Sequence, residues 1–236
     1  MSRWSAAMVS EALGVPVPGA GFESISTDTR TLATGALFVA LTGERFDGHD
    51  HLAAAQRAGA AAAIVRRGTA AVEGLPLVEV DDTLAAYGRL ARARRREIQG
   101  PVIAITGSNG KTSTKEFLAA VLGTAYRVHA TALNLNNLVG VPQTILAAPS
   151  GTDALVIEAG ASEPGELARA RTIIEPSVVV ITNVAPSHLD GFGSVAGILA
   201  EKLSLAAGAP LAVVGADPPA LTEGARTIAA RVLVVA

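Results

Sequence analysis

Cysteine is absent from the 236-residue chain, which removes disulfide frameworks, thiolate metal sites and cysteine nucleophiles together and fits a reducing compartment. There is no excess of positive charge either: 19 basic residues stand against 21 acidic ones, for a formal net charge of -2. A chain without a basic footprint has little with which to neutralise a nucleic-acid backbone, so no DNA or RNA partner is expected. Nowhere do about 18 apolar residues follow one another, the length that a membrane span requires. Residues 1–10 carry a single Arg3 and no uninterrupted apolar run, and so read as a helix rather than a secretory signal. Internal repeats are missing too, as is low complexity beyond alanine-rich helices. What these absences leave is a soluble, cytoplasmic globular protein, and a hydrophobic fraction of 50% supplies at least one well-buried core.

Short apolar strands and helical patterns alternate along the first stretch. The spacing predicts a helix over 4–13 ended by Gly14, strands at 23–26 and 36–41, a helix at 51–58, strands at 62–65 and 77–80, and a helix over 83–98 capped by Asp81 or Asp82. Arg89, Arg92, Arg94, Arg95 and Arg96 on that last helix resemble a phosphate site, but a solvated helix face is the expected reading. Gln99-Gly100-Pro101 breaks the helix, and the domain boundary is placed there: a small α/β domain over 1–98, then a second domain over 99–236. The second domain opens on Val102-Ile103-Ala104-Ile105-Thr106, a short β-branched run of the kind buried in parallel sheets. Helices at 112–122, 141–147, 165–174, 194–206 and 219–229 then alternate with strands at 126–129, 154–158, 178–182, 211–214 and 232–235, the pattern of a doubly wound, mostly parallel α/β sheet. The chain stops at Ala236 on an apolar strand with no following helix, and a truncated domain is expected.

Gly107-Ser108-Asn109-Gly110-Lys111-Thr112-Ser113 lies between a buried strand and a helix, where backbone N–H groups and a helix N-terminus cradle phosphates. Lys111 is placed to neutralise β- and γ-phosphates, and Thr112 to offer its hydroxyl to Mg2+. The full Walker pattern needs a glycine where Ile105 stands, so this is a shortened version. Open α/β sheets bind ligands at the carboxyl ends of their strands, and three further polar candidates fall there: Glu158, Asn183, and His188 with Asp190 in the following loop. A carboxylate beside the phosphate loop suits Mg2+, although a lone glutamate could equally be a helix cap. His188 reads equally well as an ordinary loop histidine and as a site residue.

These residues, with their surroundings, resemble the Mur ligases. The resemblance rests on the loop 107–113, on Thr131-Ala132-Leu133-Asn134-Leu135-Asn136-Asn137 with Gly140-Val141-Pro142, on Glu158-Ala159-Gly160-Ala161 with Gly165-Glu166, and on Asn183 through His188-Leu189-Asp190-Gly191-Phe192 with Lys202. In the front domain, Ser26-Thr27-Asp28-Thr29-Arg30 and Gly43-Glu44-Arg45-Phe46-Asp47-Gly48-His49 are similar to the family's uridine-nucleotide-binding domain, so the resemblance spans nearly the whole chain. It implies an ATP-dependent ligase that activates a carboxylate as an acyl phosphate for attack by an amine. The asparagine segment is most similar to members that use UDP-N-acetylmuramoyl-tripeptide and D-alanyl-D-alanine; a sister ligase adding another amino acid, a folate polyglutamate ligase, and an ATP- or GTP-binding module without ligase chemistry are the rival readings.

Carried over by residue, the resemblance implies catalytic roles for Lys111, His188 and Lys202, and nucleotide binding by 107–113 and Asn183. It also implies two Mg2+ sites, one held by Thr112 and Glu158 and one served by His188 and a carbamylated Lys202. Thr27, Asp28, Thr29, Arg30, Gly43, Asp47, Gly48, His49, Asn134, Asn136 and Asn137 are the implied substrate neighbours, and a monomer is expected. Two departures stand out. Leu133 occupies the position directly before the first asparagine, where the family usually carries glycine. The family's later adenine-contacting motif and its amine-binding C-terminal domain have no counterpart before Ala236.

Overall fold

The computed structural model describes residues 4–44, 46–186 and 189–235, and the chain divides by contact into two compact units, Met1–Ala93 and Arg94–Ala236. Among the described residues no helix is long and apolar enough to cross a membrane.

In the first unit, Ser5 accepts a hydrogen bond from the Met8 N–H. The segment expected to be one helix therefore splits into β1 (Trp4–Ser5) and α1 (Ala6–Leu13), which ends on Gly14 in the left-handed conformation. There follow β2 (Gly21–Phe22), which pairs with β1, then β3 (Ile25–Ser26), β4 (Leu37–Val39) and a small hairpin of β5 (Thr42–Gly43) and β6 (Phe46–Asp47). A 3-10 turn (Gly48–His51), α2 (Leu52–Arg57), β7 (Ala62–Arg66), β8 (Leu77–Val80) and α3 (Thr83–Arg96) complete it. Asp82, rather than Asp81, caps α3, its carboxylate accepting the N–H groups of Leu84 and Ala85. The sheet runs β3-β4-β7-β8 with every neighbour parallel. Phe38, Ala63 and Val65 pack on one side of it with Leu52 and Ala55 of α2. Because the strands are parallel, the segments leaving β3 and β4 emerge at one edge. That edge receives Thr27 to Arg30, and Gly43 with Asp47, Gly48 and His49, the residues that the resemblance implies as substrate neighbours.

The second unit contains β9 (Val102–Thr106), α4 (Lys111–Leu122), β10 (Val128–Ala130), α5 (Gly140–Ala147), β11 (Ala154–Glu158) and α6 (Glu166–Ile174). Beyond these come β12 (Val178–Ile181), α7 (Leu189–Phe192), α8 (Val195–Ala206), β13 (Leu211–Gly215), α9 (Pro219–Ile228) and β14 (Val232–Val235). All six strands are parallel, in the order β10-β11-β9-β12-β13-β14. Every residue of β9 and β11 is buried, which is why these strands read as unbroken apolar runs in place of an alternation. After β9 the chain crosses to the edge strand β10, returns as β11 beside β9, and then resumes on the other flank as β12. The loops after β9, β11 and β12 therefore open at the point where strand order reverses, the place where such sheets hold ligands.

The arginine run departs from the solvated face expected of it. Arg89 and Arg92 are exposed, but Arg94 is buried and donates to the carbonyls of Ala148 and Pro149 at 3.1 and 3.0 Å. Arg95 donates to the carbonyls of Ile174 and Glu175 at 2.7 and 2.9 Å, and Arg96 pairs with the Glu175 carboxylate at 2.7 Å. These carbonyls belong to the C-terminal ends of α5 and α6, where the last helical C=O groups lack partners and the helix dipole favours cations. The division between units accordingly falls inside α3, ahead of Gln99-Gly100-Pro101. Hydrogen bonds from charged groups contribute about 1.5–3 kcal/mol each, so Arg95→Met is expected to lower the stability of the second unit by about 2 kcal/mol in urea denaturation. Arg89→Met, with an exposed side chain, should stay within about 0.5 kcal/mol of the parent.

Candidate active site

The phosphate loop is shaped by its neighbours. Gly107 (φ 150°) passes so near β12 that a Cβ there would overlap the Thr182 hydroxyl, and Gly110 (φ 79°) takes the left-handed turn that opens α4. No side chain caps α4, which leaves its first amides available to an anion. The end of β12 grips the loop from the side. The Asn183 carboxamide accepts the Asn109 N–H at 3.0 Å and donates to the Asn109 carbonyl at 3.3 Å, and the Thr182 hydroxyl donates to that same carbonyl at 2.6 Å. Ser108 completes the seam through its hydroxyl, which donates to the Ala185 carbonyl at 2.8 Å and accepts the Ala185 N–H at 2.9 Å. Asn183, marked as nucleotide-binding, is thus seated on the loop backbone.

The Lys111 ammonium folds back onto the Gly107 carbonyl at 2.8 Å. The Thr112 hydroxyl donates to one carboxylate oxygen of Glu158 at 2.9 Å, and the Asn136 amide donates to the other at 2.9 Å. Glu158 ends β11 in register with Ile105 of β9 and is 3% exposed. Lys111, Asn136, Asn137, Gly160 and Lys202 line a single cavity of about 320 Å3 with the loop. Burial, and then the neighbouring Lys111 charge, push the Lys202 ammonium down from 10.5 to about 8.

Other expected residues take different places. The Asn137 carboxamide accepts the N–H groups of Val139 and Gly140 and opens α5, while Asn134 and Ser113 are exposed. Leu133 has φ 50° and is 85% exposed, so a leucine holds the left-handed conformation that the family's glycine would adopt without strain. His188 lies outside the described residues. In the first unit, Thr27 and Thr29 are half-buried, and Asp28 holds the Arg30 guanidinium, whose hydrogen bonds push its carboxyl down to about 2. Asp47 accepts from Thr42 and bonds the His49 ring, and the Arg66 N–H donates to the other ring nitrogen of His49 at 3.0 Å. Gly48 lies against the backbone of Ala40 and Leu41, where a Cβ would clash. Asp47 and His49 thereby tie Thr42 and the start of the 3-10 turn to Arg66 of β7.

One contributor escaped the sequence reading. Glu201 on α8 is buried, and its carboxylate accepts the N–H groups of Gly165 and Leu167, both at 2.7 Å, capping α6 at the rim of the cavity. Its partners lie 36 and 34 residues away in sequence, and no local spacing announces them.

Thr112 and Glu158 are hard oxygen donors of the kind Mg2+ takes. Among the described residues no group of three or more His, Asp or Glu could hold a metal alone. Mg2+ commonly uses one or two protein oxygens together with substrate phosphates, so the pair fits an ion that arrives with a nucleotide.

Residues 105–235 match the Mur ligase middle domain. The chain belongs to the Mur ligase family. Residues 22–95 match a second Mur ligase family model, described as the catalytic domain. The UDP-N-acetylmuramoyl-tripeptide–D-alanyl-D-alanine ligase of Bacillus subtilis is 45% identical over 182 residues, which is 77% of this chain and 40% of that protein. The enzyme of the same name from Escherichia coli is 43% identical over 198 residues, 83% of this chain and 43% of that one. Among solved Mur ligase structures, MurF from Acinetobacter baumannii superimposes with a TM-score of 0.89 at 32% identity, covering 98% of this chain and 53% of that one. MurF from Thermotoga maritima in complex with ADP gives 0.82 at 33% identity, covering 89% and 49%. The chain therefore spans about half the length of the relatives it matches. Asn183→Leu removes both side-chain bonds to the Asn109 backbone, and ADP affinity measured by calorimetry is expected to fall about tenfold, the equivalent of roughly one hydrogen bond's net contribution.

Proposed function

We propose that the chain is the uridine-nucleotide-binding and ATP-binding portion of a cytoplasmic, monomeric ligase that joins D-alanyl-D-alanine to UDP-N-acetylmuramoyl-tripeptide. This reaction belongs to peptidoglycan precursor synthesis and hence to cell-wall growth, shape and division. The observation that carries the reading is the meeting of Thr112 and Glu158 at 2.9 Å beside a cavity that Lys111 and Lys202 share.

In this reading the terminal carboxylate of the tripeptide attacks the γ-phosphorus of ATP, releasing ADP, and the amine of D-alanyl-D-alanine displaces phosphate from the acyl phosphate. Phosphoryl transfer of this kind asks a protein for position and charge more than for covalent chemistry. The amides of 107–113 receive the phosphates, held on course by Asn183 and Thr182. Lys111 exchanges the Gly107 carbonyl for the transferring group. Mg2+, when bound through Thr112 and Glu158, neutralises the phosphate oxygens. Residues 1–98 supply the uridine site through Thr27 to Arg30 and Gly43, Asp47, Gly48 and His49, and Asn134, Asn136 and Asn137 are further substrate neighbours that the family resemblance implies. Residues 99–236 supply the ATP site. Lys202, as a carbamate, and His188 serve a second Mg2+, which a nucleotide-binding switch without ligase chemistry would not need.

Two experiments test this. Calorimetric titration of the 236-residue chain with the UDP-linked tripeptide should give saturable binding, while the same chain with ATP and D-alanyl-D-alanine should form no peptide bond, because the matched region is only 40% and 43% of two ligating relatives. No binding would remove the uridine assignment, and product from this chain alone would show that the matched half suffices. For Lys202, the neutral amine is the species that captures carbon dioxide. A carbamate signal from labelled bicarbonate in carbon NMR should therefore strengthen as pH rises through about 8 at fixed dissolved carbon dioxide. It should vanish in Lys202→Arg; a signal that persists there would place the carbamate elsewhere.

A further inference from the structure

Lys115 lies one turn beyond Lys111 on α4, and its side chain is 4% exposed although Glu116 beside it is 70% exposed. An ammonium taken out of water is costly unless partners replace its hydration. Lys115 has two: the Thr131 carbonyl at 2.7 Å and the Glu116 carboxylate at 2.7 Å. An apolar side chain of similar volume would occupy such a position at lower cost, so packing alone does not account for the charge.

Its acceptor stands at a junction. Thr131 is 1% exposed, and each of its polar groups is bonded: the N–H donates to Val156 at 3.0 Å, the hydroxyl oxygen accepts the Glu158 N–H at 2.9 Å, and the carbonyl accepts Lys115. Further along the same segment Asn136 holds the Glu158 carboxylate, and its own carbonyl accepts the Gly160 N–H at 2.8 Å. The remaining carboxylate oxygen returns to α4 through Thr112. A closed ring results, running from α4 through Lys115 to Thr131, on to Glu158, and back to α4 through Thr112.

We propose that Lys115 is a positioning residue, which ties the 131–136 segment to the phosphate-loop helix and so holds the Glu158 carboxylate where Thr112 and an incoming Mg2+–nucleotide meet it. This rests on the nucleotide reading above. The ring predicts a specific defect on losing Lys115: metal-dependent nucleotide binding suffers, while the loop amides and Lys111, which are outside the ring, keep their hold on phosphate.

The test is ADP titration of the full 236-residue chain with Mg2+ and again with EDTA, taking the ratio of the two affinities. In Lys115→Met that ratio is expected to fall about fivefold or more while affinity in EDTA stays within about twofold, and adding Asn136→Ala should cost less than its separate effect predicts, as expected for coupled groups. An unchanged ratio in Lys115→Met overturns the proposal, and so does an equal fall in both affinities, which would mark a residue that only supports the fold. Should Lys115→Met not fold, Lys115→Gln is measured in its place with the same outcomes. A parent chain that does not bind ADP overturns this proposal and the nucleotide reading together; a parent whose ADP affinity ignores Mg2+, or a magnesium-dependent parent with an unaffected variant, overturns this proposal alone.

Discussion

A carboxylate that has left water must be answered on every side, and Glu158 sets that demand at the centre of the second unit. It is 3% exposed, at the end of a strand whose every residue is buried. Its two oxygens are met by Thr112 and Asn136, and its own amide by Thr131. Those three donors and acceptors come from α4 and from the segment after β10, so satisfying one buried charge fixes how both approach β11. The phosphate loop inherits its position from this arrangement on one flank and from Asn183 and Thr182 on the other. Burial first, and then the charge of Lys111 facing the same cavity, weaken the hold of Lys202 on its proton.

Much of this is legible in the sequence. The central strands of the second unit announce themselves because parallel strands covered on both faces must be apolar throughout, and β9 and β11 fall where the runs placed them; β14 does so too, although its side chains are largely exposed. The phosphate loop and Glu158 were legible as a pair because both sit at strand ends beside the reversal of strand order. Short strand pairs were not: β1 with β2 and β5 with β6 have two residues per strand, too few for an alternation to register. Nor does a sequence reveal where a long side chain turns. Arg94 and Arg95 carry the composition of a solvated helix face, yet find carbonyls at the ends of two other helices, and Asn183 spends its amide on a backbone. Glu201 is hidden for the same reason, since the amides it satisfies belong to a distant segment.

Leu133 shows how a departure in sequence becomes a physical quantity. A left-handed backbone costs an ordinary residue about 1–2 kcal/mol relative to glycine, and here the leucine side chain is 85% exposed and recovers little by packing. The loop that carries Asn134 to Asn137 keeps the turn all the same, because Asn136 is bonded at both its side chain and its carbonyl. The surrounding hydrogen bonds, more than the residue at the bend, determine the conformation.

The arginines at the end of α3 also bear on the order in which the protein comes into being. Chains emerge from the ribosome N-terminus first, and domains tend to close as they become complete. Arg94 reaches carbonyls 54 and 55 residues later, and Arg95 carbonyls 79 and 80 residues later. While those residues are still unsynthesised, the Arg94 and Arg95 guanidinium groups have only their local acceptors, the Glu97 carboxylate and the Ile98 carbonyl. The last turn of α3 gains its remaining hydrogen bonds only after Glu175 has been made, when residues 1–93 are already synthesised in full.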